Sequence, residues 1–227
     1  MQIKKVIFSL CMIGGVSSIA FYNKQQVQQR TVILDPAGDA KRTGRQIGDS
    51  FERGLTLQTA ERIKDLIEEQ ASHIKVIVTR MPGDTVYDLQ NASLSNRMQA
   101  DLFVSLNFYY TQETKPTMYL YQFSYGNDFV CCEQGIVLQS YDQAYRVKKA
   151  TTDIMCQLFK KELSRQQYHS LYSIAGPYSL PIKPLIGIVA PAISFELGLK
   201  SKELWQDYSK PLAEAIIAVI DELERIS

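Results

Sequence analysis

The chain has 227 residues, of which 45% are hydrophobic and 22% charged, and its formal net charge is +1. That length and composition suit one well-packed globular domain and exclude a long disordered or fibrous protein. Four of the 25 bases fall in the first 30 residues, which carry no acid, so the remainder holds 21 bases against 24 acids and offers no electrostatic reason to bind nucleic acid.

In chain order, the short basic start MQIKK leads into the uncharged stretch VIFSLCMIGGVSSIAFY, residues 6–22. This reads as a secretory signal or a short membrane anchor, because about 17 to 25 apolar residues are needed to span a bilayer. Ser18 and Ala20 are small residues spaced for cleavage after Ala20, so both outcomes stay open. Either one exports the body of the protein to the periplasm or cell envelope, with 1–22 as signal or membrane tether, 23–30 as a polar tether and 31–227 as one folded domain.

TVILD is a β-branched run that ends at Pro36, and residues 36–50 form a long loop holding Gly38, Gly44 and Gly48 among polar and charged groups. Leu55, Thr59, Ile63, Leu66 and Ile67 recur at helical spacing, which predicts an amphipathic helix over 55–70. HIKVIVTR reads as a strand, 88–99 as a helix, and ADLFVSL as a third strand. The order strand, helix, strand, helix, strand is that of an α/β protein with a twisted, mostly parallel sheet flanked by helices.

MYLYQFSY then places Tyr119, Tyr121, Phe123 and Tyr125 on one face of a strand. Packing against a helix is the ordinary account of such a row, and an aromatic wall open to a ligand is the other. A long helical segment is expected over 138–163, an irregular stretch over 168–183, a short strand at PAISFEL, and a closing helix interrupted or restarted near Pro211. Cys131, Cys132 and Cys156 leave the pairing of an exported domain undecided.

In an open α/β sheet, sites form beyond the C-terminal ends of the strands. Three expected strand ends carry polar groups, Asp35, Asn107 and Glu196, and Glu52 stands just before the first helix. Catalytic zinc usually takes three protein ligands, often histidines. The only histidines are His73, expected at the far end of the sheet, and His169, in the irregular stretch. An amide and carboxylates suit calcium, magnesium or manganese better than zinc.

ILDPAGDA, SFERGLTL, LSNRMQADLFVSLN and PAISFELGLKSK, in this order, resemble the zinc-dependent N-acetylmuramoyl-L-alanine amidases, cell-wall hydrolases of the Amidase_3 type, over residues 31–222. The resemblance implies a single amidase-like domain in which His, Glu and His hold one zinc, while a second glutamate assists water in attacking the amide between the glycan's lactyl group and L-alanine. Carried onto this chain, Gly38 and Asn107 occupy the two histidine positions, Glu52 matches the remaining ligand, and Glu196 matches the general base. Loss of two imidazoles removes far more zinc affinity than a changed neighbour of a ligand, which alone costs about 10- to 100-fold. No cofactor is therefore expected. An oxygen-rich site that recruits Asp39, with Asn107 and a contribution from Asp49, is the alternative for Ca, Mg or Mn.

Phe108, Tyr109 and Tyr110 follow Asn107, and are expected either to fill the old site or to contact a ligand, together with Arg80 and Arg97. The leading functional expectation is a non-hydrolytic envelope protein that binds peptidoglycan, muropeptides or an envelope protein. An amidase with altered metal chemistry and a regulator of a true amidase are the alternatives.

Overall fold

The computed structural model describes residues 29–87, 89–126 and 140–226. The stretch expected to be a signal or anchor and the pair Cys131 and Cys132 lie outside them. Among the described residues no helix is long and apolar enough to cross a membrane.

Six strands form the main sheet: β1 (Arg30–Pro36), β4 (Ile74–Val78), β5 (Leu102–Tyr110), β6 (Thr117–Phe123), β7 (Ser173–Leu180) and β8 (Ala192–Leu199). Their order is β4-β1-β5-β8-β6-β7. The pairs β1/β4, β1/β5 and β5/β8 are parallel, β6 runs antiparallel to β8, and β7 is parallel to β6. The long loop after β1 holds a two-residue pair, β2 (Gln46–Ile47) with β3 (Ser50–Phe51), which ends directly at α1 (Glu52–Gln70). Three further helices follow: α2 (Gln90–Arg97), α3 (Lys149–Leu163) and α4 (Gln206–Ile226).

The period-two alternation of the strands separates two cores. Val32, Leu34, Leu102, Val104, Leu106, Phe108, Ile193, Phe195 and Leu197 face one way and pack with apolar residues of α1, α3 and α4. Ile33, Phe103 and Ala192 face the other way and meet Ala92 of α2 with Leu185 and Ile188.

Three expectations need correction. The stretch 168–183 contains β7, whose Gly176-Pro177 pair is accommodated because it sits on an edge strand. Over the described part of 138–163, tight turns at Tyr141–Lys148 precede α3. Finally, α4 runs unbroken through Pro211, close to its start. The missing N–H there costs a bond to the carbonyl of exposed Asp207, which water can satisfy.

Candidate functional site

Strand register carries the polar residues of the chain onto one surface. Asp35, Ser105 and Ser194 are neighbours across β1, β5 and β8, and the same row continues to Tyr121 on β6 and Tyr178 on β7. One step further along, Asn107 pairs with Glu196, which pairs with Tyr119. The α2 side of the sheet is thus apolar at its base and polar and aromatic toward the strand ends.

Glu52, the first residue of α1, is 5% exposed. Its Oε1 accepts the Phe108 N–H at 2.8 Å, and its Oε2 accepts the Arg45 N–H at 2.9 Å. Both oxygens are committed to the backbone, so the carboxylate joins the loop after β1 to the end of β5.

The side chain of the same Arg45 then reaches the other glutamate. Its guanidinium lies 2.6 Å from Glu196 Oε1 and donates to the Phe108 carbonyl at 2.9 Å. The Tyr121 hydroxyl donates to Glu196 Oε2 at 3.2 Å. Burial, followed by the charge of Glu196, pushes the Tyr121 phenol up to about 12.

Asn107 donates from Nδ2 to Ser194 Oγ at 3.0 Å, to the Phe195 carbonyl at 3.3 Å and to Ser105 Oγ at 3.4 Å. Gly38 has φ +77°, and a Cβ there would come within 2.7 Å of Arg53 Cβ and 3.0 Å of the Arg42 carbonyl. Any side chain at position 38 therefore meets both a left-handed backbone and a closed space.

Asp39, expected beside the glutamates, points elsewhere. Its Oδ1 accepts the N–H groups of Lys41 (2.8 Å) and Arg42 (2.7 Å), and its Oδ2 accepts the Arg42 guanidinium and the Val86 N–H. Burial alone would raise its pKa, but Arg42 and these amides hold it well below the usual carboxylate range. Asp49 pairs with Lys202 at the surface. Among the described residues, no group of three or more His, Cys, Asp or Glu is arranged to hold a metal ion.

A cleft of about 570 Å³ lies beside these groups, bordered by Asp35, Gly38, Asn91, Asn107, Tyr87 and Ile186. Asp35 accepts the Thr79 hydroxyl (2.9 Å) and the Asn91 amide (2.7 Å) on one oxygen. Burial pushes its pKa up to about 6 against the opposing pull of Thr79 and the nearby Arg80 charge. Among the described residues, the buried Oδ1 of Asn91 has no hydrogen-bond partner.

The aromatic residues after Asn107 diverge. Phe108 is fully buried and tilts against Tyr208 in the α4 core, so it does not fill the cleft. Tyr109 lies on the site face beside Tyr119, and Tyr110 is half exposed at the strand end. Arg80, expected to bind a ligand, is 6% exposed and donates to the carbonyls of Pro36, Ala37 and Arg53, which fixes the turn after β1. Arg97 ends α2 at the opposite end of the sheet from the cleft, and its Nε donates to the Ser93 carbonyl. His73 lies beyond the β4 start, 2.9 Å from Asp221, and exposed His169 contacts the Ser164 carbonyl. Cys156 is a buried free thiol, pushed up to about 12 by burial.

Sequence reasoning missed Arg45. The available signal was three bases, Lys41, Arg42 and Arg45, in a loop leading to the carboxylate at position 52, where a cation other than a metal can approach the acids.

The architecture is that of a single α/β domain with a mostly parallel six-stranded sheet flanked by helices, and the comparisons with known proteins make the class specific. The N-acetylmuramoyl-L-alanine amidase family model matches residues 32–222, so the chain belongs to that family. Its fold is similar to the catalytic domain of CwlV, an N-acetylmuramoyl-L-alanine amidase from Bacillus (Paenibacillus) polymyxa var. colistinus, with a TM-score of 0.60 and 14% identity over 88% of this chain and 100% of the other. It is also similar to the CwlD amidase of Clostridioides difficile, solved in complex with the GerS lipoprotein (TM-score 0.59, 17% identity, 88% and 100% covered). AmiC2 of Nostoc punctiforme gives a TM-score of 0.57 at 16% identity, with 86% and 97% covered. No curated protein sequence matches the chain.

Proposed function

We propose that this chain is a non-hydrolytic, exported member of the amidase family that binds peptidoglycan fragments in the cell envelope. The observation that carries this reading is the engagement of both family carboxylates by protein groups: Glu52 by the Arg45 and Phe108 amides, and Glu196 by the Arg45 guanidinium. The donor set does not fit a zinc ion. Gly38 supplies no ligand atom and no room for one, Asn107 offers a neutral amide, and neither carboxylate is free. In this family's chemistry the metal supplies the Lewis acid and lowers the pKa of its bound water, and a carboxylate acting as general base alone replaces neither contribution.

The decisive experiment incubates the full chain with purified muropeptides, with and without added zinc or manganese. No release of L-alanine-linked peptides is expected, while the muropeptides bind. Metal-dependent release of those peptides overturns the reading. Elemental analysis after gentle purification checks the altered-metal alternative, for which a stoichiometric divalent metal, lost on Glu52→Ala, is required.

A further inference from the structure

Four tyrosines form a continuous row on the sheet face that carries Glu196. Ring centroids are 5.9 Å apart for Tyr109 and Tyr119, 6.3 Å for Tyr119 and Tyr121, and 5.9 Å for Tyr121 and Tyr178. The central pair is close to parallel, at 24°. Among the described residues, none of the four belongs to either hydrophobic core. Tyr178 is 46% exposed, and the other three are half-buried.

The row is held against the sheet. A Cβ on Gly198 would fall 2.8 Å from the Tyr109 hydroxyl and 2.9 Å from its Cζ, so glycine is what lets this ring lie close over β8. The Tyr109 hydroxyl donates to the Thr117 carbonyl at 2.8 Å, and the Tyr121 hydroxyl to Glu196. With these two hydroxyls turned to protein partners, the rings themselves are the surface offered to a ligand.

The charges that reach these phenols come from Glu196 and Glu113, with Arg45 paired to Glu196. That balance disfavours an anionic polymer, such as nucleic acid, and matches an uncharged ligand. Tyrosine rings are rigid and amphipathic, with an apolar face and a polar edge. A pyranose has the same division, C–H groups on its flat faces and hydroxyls around its rim.

We propose that the tyrosine row is a carbohydrate-binding platform, on which the sugar rings of a neutral glycan strand lie while their polar substituents reach the Arg45–Glu196 pair. This rests on the peptidoglycan-binding reading and names the glycan, not the peptide, as the part the row holds.

The test uses N-acetylglucosamine oligomers of increasing length as probes, titrated calorimetrically into the full chain. Affinity is expected to rise with oligomer length. Tyr178→Ala, on the exposed edge strand, should weaken binding of the longest oligomer at least tenfold without changing the melting temperature. Tyr178→Phe should retain binding, because the ring is kept. Tyr110→Ala, on the other side of β5, should leave it unchanged. Absence of oligomer binding at every length, or binding indifferent to Tyr178→Ala and Tyr119→Ala, overturns the platform. Muropeptides that bind equally well to both variants overturn it while leaving the peptidoglycan reading in place. Tyrosine-dependent oligomer binding alongside cleavage of muropeptides upholds the platform and sinks the non-hydrolytic reading.

Discussion

The two faces of the sheet are built on different terms. Toward α1, α3 and α4, strands β1, β5 and β8 present an unbroken set of buried aliphatic and aromatic residues, and each contact there has many substitutes. Toward α2 the same strands begin with Ile33, Phe103 and Ala192, then change to Asp35, Asn107 and Glu196. On that half, stability depends on one donor meeting one acceptor. A single residue such as Arg45 can therefore redirect the chemistry of the site while leaving the amidase frame intact.

Burial on the face toward α1, α3 and α4 runs out at the end of β5, where Phe108 and Tyr110 share that face. Phe108→Ala empties a fully buried site and should cost about 3–5 kcal/mol of unfolding free energy. Tyr110→Ala, two residues on and half exposed, should change it by no more than about 0.5 kcal/mol. Urea denaturation of the two variants measures the contrast, and similar losses would mean that Phe108 does not belong to the core.

Glu52 comes next. Removing its carboxylate in Glu52→Ala leaves the Arg45 and Phe108 amides without an acceptor, a loss of about 2–6 kcal/mol at roughly 1–3 per unsatisfied buried group. Glu52→Gln should recover little, because both oxygens accept N–H groups and an amide nitrogen would set donor against donor. A carboxylate poised for a metal behaves differently: in metal-free buffer, Glu52→Gln would leave the denaturation midpoint unmoved.

Much of the fold is written locally. The period of 3.6 in α1 and the β-branched runs of β1, β4, β5 and β8 survive folding because burial reinforces each propensity. β7 was not legible, since SIAGPYSL breaks its alternation with Gly-Pro and is strand only because β6 offers an open edge. Glu52, Asn107 and Glu196 could be placed near one another from strand ends and motif order. What each binds could not, because Arg45 arrives from a loop whose path is set by Asp39 gripping Arg42 and by the backbone at Gly38. The tyrosines on β6 were legible as a row, but their openness depends on which helices cover the sheet, a tertiary property.

Asp35 at the end of β1 and Asp39 in the loop after it differ in pH response. Asp35 is neutralised more readily in the folded chain, with its pKa raised from 3.8 to about 6. The folded state therefore binds more protons between those values, and this group's contribution to stability is present below about pH 4 and lost as the pH rises through 6. A shift of that size corresponds to about 3 kcal/mol at one pKa unit per 1.36 kcal/mol. Asp35→Asn keeps an oxygen for Thr79 and Asn91, so it should be more stable than the parent at pH 7 by about 1–3 kcal/mol, with the gap closing between pH 6 and 4. Asp39 has the opposite sign: its contribution is retained throughout this range and disappears only in stronger acid. Denaturation midpoints at several pH values separate the two, and a gap for Asp35→Asn that stays constant down to pH 4 contradicts the burial of an ionised Asp35.

The smallest effect belongs to the Arg45–Glu196 pair. The Arg45 side chain is 51% exposed and that of Glu196 23%, so water screens much of their attraction and the pair should contribute only about 0.2–1 kcal/mol in a double-mutant cycle of Arg45→Ala and Glu196→Ala. Its importance lies in occupancy. While Arg45 holds Glu196 and its own amide holds Glu52, a divalent ion meets carboxylate oxygens already engaged by protein donors. Arg45→Ala removes the guanidinium but leaves the Glu52 bonds to the backbone and the closed space at Gly38. Isothermal titration with zinc should therefore find no more than weak binding to this variant. Tight stoichiometric binding on loss of Arg45 alone would show that the arginine was the sole barrier and that the remaining donors form a competent metal site.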